Sequence, residues 1–207
     1  MNLPPYAARS TQDAEELVAF IENHVAPLKP SVVLEIGVFN GGSLSAWAHH
    51  ADDTAFLIGV DDLSQKVRPS VTTKPSQRLA LVYGDSRAPA TLAQVLDLLE
   101  GRQVDFLFVD ADHSEECVRN DLRVFLPLVR PGGLVGMHDV IGNSDVNRVW
   151  EEYKAEYGGV VEYFNDNAVH RMGIGTFRTH LHATVEDTEG NRENVLMKVP
   201  YGIYGSP

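Results

Sequence analysis

One cysteine is all that this chain holds in 207 residues, so Cys117 has no internal disulfide partner and a disulfide scaffold is excluded. Set in a polar, helix-like stretch, it reads as an ordinary thiol, and a reducing compartment, the cytoplasm, is expected. Cationic residues are scarce as well. Seventeen Lys plus Arg against 29 Asp plus Glu leave a formal charge of −12, a field that repels nucleic acid and anionic membranes. A small neutral or cationic partner suits it better. No apolar run approaches the roughly 20 residues that span a bilayer, and Met1 to Thr11 lacks the basic start and apolar stretch of a leader. The chain is expected to be soluble and unprocessed. What is present, 43% hydrophobic and 22% charged residues, is the balance of one globular domain with a real core.

Short β-branched apolar runs alternate with longer helical patterns, the signature of a parallel sheet covered on both faces. Ser10 is placed to cap a helix from about Thr11 to His24, ended by Pro27 and Pro30. Strands are expected at Ser31 to Gly37, Ala55 to Val60, Leu79 to Tyr83, Val104 to Val109 and Leu134 to Met137, with two more at Val160 to Phe164 and Met172 to Phe177. Helices are expected at Ser43 to His49, Ala90 to Leu99, Ser114 to Val129 (ended by Pro131-Gly-Gly133) and Val146 to Tyr157. His49 and His50 close a helix, where positive charge meets the dipole. Residues 63 to 77 read as a surface loop with freedom to move. The last thirty residues fit either an edge hairpin or a tail packed on another subunit.

In an open parallel sheet, ligands bind outside the carboxyl ends of the strands, where strand order reverses. Those ends read Glu35-Ile-Gly37-Val-Phe39-Asn40-Gly41-Gly-Ser43, Asp61-Asp62, Gly84-Asp85-Ser86, Asp110-Ala-Asp112-His113 and His138-Asp139. Any one Asp at a strand end is often only the cap of the next helix, as Asp62, Asp85 and Asp112 can be. As a set, so many carboxylates facing one crevice repel each other unless a cation or a hydroxyl-rich ligand meets them. A dinucleotide does not fit, because Glu35 stands where the G-x-G-x-x-G fingerprint has its first glycine, and a carboxylate beside a pyrophosphate is unfavourable. A phosphate-free cofactor with a sulfonium, an amino-acid end, a ribose and an adenine fits better: S-adenosylmethionine.

These segments resemble the class I S-adenosylmethionine-dependent methyltransferases, and among them the small metal-dependent O-methyltransferases of catechol and macrolide-sugar type. The resemblance covers about residues 30 to 178 and rests on V-L-E-I-G-V-F-N-G-G-S, L-I-G-V-D-D, V-Y-G-D-S, V-D-F-L-F-V-D-A-D-H-S, R-P-G-G-L-V-G-M-H-D-V and M-G-I-G-T-F. It implies a Rossmann-like, seven-stranded, mostly parallel sheet with helices on both faces and its last strand antiparallel. The whole chain, 1–207, is expected to be one methyltransferase domain, with a helical segment over 1–30, a core over 31–178 and an extension over 179–207. The resemblance places Glu35, Gly37, Phe39, Asn40, Gly41 and Ser43 around the methionine part, Asp61 on the ribose, Asp85 and Ser86 beside the adenine, and Asp110 between cofactor and metal. It also implies a divalent metal on Asp110, His138 and Asp139, and His113 as general base.

His138 departs from the oxygen-only ligand pattern. Magnesium prefers oxygen donors and imidazole favours later metals such as Mn²⁺, Fe²⁺ or Zn²⁺, so His138 either binds such a metal or faces substrate. The implied activity is methyl transfer to a hydroxyl of a small molecule: a phenol, a sugar or another secondary metabolite. Metal-free N- or C-methylation and a hydroxylase-like or non-catalytic relative are the alternatives, and a homodimer is left open. His180 and His182 read as solvated, and Trp47 and Trp150 as core.

Overall fold

The computed structural model describes residues 12–157, 159–165 and 172–180. Seven strands, β1 (Val32–Ile36), β2 (Phe56–Asp61), β3 (Arg78–Tyr83), β4 (Val104–Val109), β5 (Val129–His138), β6 (Val161–Tyr163) and β7 (Ile174–Arg178), form one sheet in the order β3-β2-β1-β4-β5-β7-β6. β7 runs antiparallel to both β5 and β6, and the other pairs are parallel. The helices are α1 (Ala14–Phe20), α2 (Ala26–Leu28), α3 (Gly42–His50), α4 (Pro89–Leu99), α5 (Glu115–Phe125) and α6 (Ser144–Tyr157). The parallel part is the architecture expected from the alternating pattern, and the seven-stranded sheet with an antiparallel last strand is the one the resemblance implied. Among the described residues, no helix is long and apolar enough to cross a membrane.

Side chains of the central strands alternate between two cores, as the two-residue strand period requires. Leu34, Ile36, Leu107 and Val109 face Val95, Leu122, Phe125 and Trp150 of α4, α5 and α6. Val33, Leu57, Phe106 and Phe108 face the other way, onto Leu17, Phe20, Leu44 and Trp47 of α1 and α3. Trp47 sits edge-on to Phe106 at 5.1 Å between ring centroids and within 5.7 Å of Phe20. Both tryptophans are fully buried core residues, as expected.

Several boundaries differ from the sequence reading. Asp13, not Ser10, caps the first helix, accepting from the amides of Glu15 and Glu16; Ser10 and Thr11 lie outside the described residues. Pro27 does not end that helix, because a π turn over Ile21–Val25 widens the backbone ahead of it and accommodates a residue with no N–H. The helix stops at Lys29, in the left-handed conformation.

Farther along, Pro127 rather than Pro131 ends α5, in a 3-10 turn over Leu126–Leu128. β5 therefore begins at Val129, and its pairing with β4 shifts register between Val104 and Phe106. Burial pulls the His50 imidazole down to about 4, with His49 and Lys74 adding to it, so the end of α3 meets a neutral ring rather than a cation. The loop after β2 is tied to α3: Gln77 Nε2 donates to the Ala48 carbonyl at 2.7 Å, and the Thr72 amide donates to Ser45 Oγ at 3.0 Å. His180 stacks on Tyr157. His182, and nearly all of the last thirty residues, lie outside the described set.

Candidate functional site

Strand order reverses between β1 and β4, and a crevice opens at their carboxyl ends. The Asp110 amide donates to the Ile36 carbonyl at 2.8 Å, so the turn leaving β1 rides directly on the end of β4. Gly37 is required there. Its φ is +88°, and a Cβ would overlap the Asp110 carbonyl, an approach that only glycine permits. Phe39 follows with φ +48°, and Gly41, again at +88°, starts α3.

Asp61 holds this turn in place. Its Oδ2 accepts from the amides of Val38 at 3.0 Å and Phe39 at 2.7 Å, and its Oδ1 accepts from Leu63 at 2.7 Å. A carboxylate has about four acceptor sites, so capacity remains for a ribose hydroxyl. Asn40 accepts from the Gly42 amide. Glu35 is fully buried, with Ser43 Oγ donating to its Oε1 while Oε2 has no hydrogen-bond partner. Burial pushes its carboxyl well above the ordinary range, against the Ser43 bond and with help from Asp110.

Gly37, Phe39, Asp61, Asp85, Ser86 and Asp110 all line the crevice. Glu35, Asn40, Gly41 and Ser43 do not appear on that lining and shape the turn from behind it. Sequence reasoning missed other lining residues, Gln65, Arg87, Ala111 and Cys117 among them. Arg87 forks onto Asp85, with Nη2 2.7 Å from Oδ2, and holds that carboxyl down at about 2. Asp62 and Asp112 accept from amides two residues on, at Ser64 and Ser114; these are local turns rather than the helix caps weighed above, since the next element after Asp62 is β3 and Ser114 stands at the cap of α5.

At the ends of β4 and β5, two carboxylates and two imidazoles converge. His113 Nε2 lies 2.9 Å from Asp139 Oδ2 and 3.7 Å from Asp110 Oδ1. His138 Nδ1 lies 3.2 Å from Asp110 Oδ1 and 3.3 Å from Asp139 Oδ1. Gln12, ahead of α1, donates from Nε2 to Asp110 Oδ2, a contact between residues 98 apart that sequence patterning does not signal. His113 is pushed up to about 10 by Asp110 and then Asp139. Burial pulls His138 down, yet the carboxylates outweigh it and raise that ring to about 10 as well. Burial likewise opposes ionisation of Asp110 and Asp139, and the imidazoles hold both below the ordinary range.

This cluster has the donor chemistry of a cation site. Asp139 is 1% exposed, sits at φ +61°, and neither of its oxygens has a hydrogen-bond partner. Its approach to His113 is an ion-pair distance without hydrogen-bond direction. Orphaned acceptors and strained backbone cluster at functional sites because a ligand satisfies them. Ligand atoms of Asp110, His113 and Asp139 lie within 4.8 Å of one another. The three residues whose ligand atoms lie this close include His113, which sequence reasoning placed as the base, while His138 stands beside Asp110 and Asp139.

A family model described as a methyltransferase domain matches residues 34–140, which takes in β1 through β5 and every strand end above. A demethylmacrocin O-methyltransferase from Streptomyces fradiae is 29% identical over 134 residues, 61% of this chain. The match spans only 29% of that relative's length. An O-methyltransferase from Bacillus cereus, solved with S-adenosylhomocysteine (SAH), superposes with a TM-score of 0.57 at 17% identity, covering 86% of this chain and 84% of that one. A methyltransferase from the mycinamycin pathway, solved with Mg, SAH and mycinamycin VI, gives a TM-score of 0.56 at 17% identity over 83% of this chain and 52% of its own. From the matched segment and the sheet order together, the chain belongs to the methyltransferase-domain family and has the class I S-adenosylmethionine-dependent methyltransferase fold.

Proposed function

We propose that this chain transfers the methyl group of S-adenosylmethionine to a hydroxyl of a small molecule, with a divalent cation at the strand-four and strand-five ends. The observation that carries this reading is the juxtaposition, on one sheet edge, of the Asp61-braced glycine turn and the Asp110–His113–Asp139 cluster. The relatives' names, a demethylmacrocin O-methyltransferase and a methyltransferase of the mycinamycin pathway solved with mycinamycin VI, support an oxygen acceptor of secondary-metabolite or sugar type.

In this reading Gly37 and Phe39 border the methionine part, Asp61 takes the ribose, and Ser86 with the Arg87-clamped Asp85 edges the adenine. The acceptor oxygen attacks the methyl carbon as the carbon–sulfur bond breaks, so much of the acceleration comes from holding the two in line. Asp110 and Asp139, with His138 beside them, are the residues that would hold the cation and leave His113 Nε2 free; the cation's contribution would be Lewis-acid stabilisation of the acceptor's developing negative charge. His113 takes the hydroxyl proton at Nε2. While Asp110 and Asp139 are uncompensated they keep His113 protonated and unable to act as a base. Compensation of their charge frees it.

A second reading rests on the same atoms. Two imidazolium rings already balance two carboxylates, an arrangement that suits a metal-free methyltransferase. Calorimetric titration of the chelator-treated chain with MnCl₂ and MgCl₂ separates the two. Binding by the unaltered chain, lost in Asp139→Ala, supports the cation reading; no binding of either ion overturns it in favour of the second. No nucleic acid or membrane is proposed as a partner, given the charge of −12. A cytoplasmic location is proposed from the single thiol, and a homodimer remains open to sedimentation analysis.

A further inference from the structure

Gln12 stands ahead of α1, where a polar side chain is ordinarily solvated, yet it is only 6% exposed and its Nε2 donates to Asp110 Oδ2 at the end of β4. Burying an amide is costly unless it is hydrogen-bonded. The bond ties the head of the first helix to the centre of the site, and the orientation of the amide follows from its partner. An ionised carboxylate accepts only, so Gln12 must present its N–H and not its carbonyl; the two imidazoles favour the ionised form of Asp110. The helix head is itself fixed. Asp13 caps α1, Glu16 Oε1 accepts from the Asn165 amide at 2.7 Å, and Asn165 Nδ2 lies 3.3 Å from Asp13 Oδ2. The start of α1 is thus pinned to the chain leaving β6, while Leu17 and Phe20 anchor the helix in the core.

We propose that Gln12 is a positioning residue for the cation: by donating to Asp110 Oδ2 it turns Oδ1 toward the cluster, and, being uncharged, it leaves the negative charge of the carboxylate for the cation to meet. The two oxygens of Asp110 divide in this way. His138 Nδ1 and His113 Nε2 lie 3.2 Å and 3.7 Å from Oδ1, and Gln12 takes Oδ2. On the same sheet edge Asp85 shows the contrasting arrangement, in which Arg87 forks onto both oxygens and supplies a positive charge of its own. A carboxylate compensated like that has little attraction left for a metal ion, whereas a neutral amide orients without competing. Hydrogen-bond partners behind metal ligands orient those ligands, and their loss typically costs about tenfold to a hundredfold in metal affinity. The inference rests on the reading of this cluster as a cation site.

The test is calorimetric titration of the chelator-treated full chain with MnCl₂ and, separately, with SAH, on the unaltered protein and on two variants, Gln12→Met and Gln12→Lys. Methionine matches glutamine in length and offers no donor. Lysine offers donors but brings the kind of charge that Arg87 brings to Asp85. Each variant is expected to bind Mn²⁺ about tenfold to a hundredfold more weakly than the unaltered chain, and SAH within about threefold of it. A cooperative thermal melt without metal identifies a folded variant; if Gln12→Met lacks one, Gln12→Lys decides. A folded variant that weakens Mn²⁺ and SAH alike shows a merely structural role and overturns the inference. So does either folded variant binding Mn²⁺ within about threefold of the unaltered chain, a loss smaller than an orienting partner should cause. An unaltered chain that does not bind Mn²⁺ overturns the cation reading, and this inference with it.

Discussion

Replacing Asp121 by Asn is expected to shift stability in the variant's favour as pH rises from mild acid to neutrality. Burial pushes the Asp121 carboxyl up to about 6, against an ordinary 3.8. The fold therefore holds this proton more tightly than the unfolded chain does. Between pH 4 and 6 the folded state binds more protons, so stability from this group declines as pH rises through that window and levels off above it. At 1.36 kcal/mol per pH unit, the gap corresponds to about 3 kcal/mol of destabilisation at pH 7. Asparagine removes the charge but buries an amide that has only Ser86 and Asn120 beside it. An unsatisfied donor costs about 1–3 kcal/mol, so a net gain of about 0–2 kcal/mol at pH 7 is expected.

Urea titrations followed by fluorescence of the buried Trp47 and Trp150 measure this directly. The difference in unfolding free energy between Asp121→Asn and the unaltered chain should shift by about 2 kcal/mol in the variant's favour between pH 4.5 and pH 7. A difference that does not vary with pH would show that Asp121 ionises normally and refute the reasoning. So would a variant less stable at pH 7 than at pH 4.5 relative to the parent.

Three further outcomes follow from the site. Asp61→Ala strips the Val38 and Phe39 amides of their charged acceptor, and at about 1.5–3 kcal/mol for such bonds SAH affinity should fall roughly ten- to hundredfold by calorimetry; an unchanged affinity would remove Asp61 from the site. Gly37→Ala forces a Cβ into the Asp110 carbonyl at φ +88°, so it should abolish SAH binding and lower the melting temperature, and retention of binding within twofold would show that the turn yields. His113→Ala should cut turnover on any hydroxyl acceptor far more than it weakens SAH; equal losses would argue against a proton-accepting role.

The sheet was legible because its strands are short β-branched runs set between helical periods, and each apolar residue has one face to choose. What patterning could not show are features decided by backbone geometry. The π turn that lets Pro27 stay within the first helical segment, and the early start of β5 at Val129 across Pro131-Gly-Gly133, depend on contacts rather than on composition. At the site, the polar strand ends pointed to the crevice correctly, because strand ends converge wherever parallel order reverses. The division of labour was less visible. Asp61 braces the turn as well as facing the crevice, Glu35 and Ser43 bond to each other behind it, and Gln12 reaches Asp110 from far upstream. Asp121 carries no local signal at all, since an acidic residue within a helix reads as exposed.

Titration of the unaltered chain with SAH, alongside NADH as the competing dinucleotide, bears most directly on whether this crevice is an S-adenosylmethionine site. One SAH bound per chain, lost in Asp61→Ala, with no heat from NADH, is the expected result. Binding of NADH in place of SAH, or no heat from SAH at concentrations far above those of the protein, would contradict it.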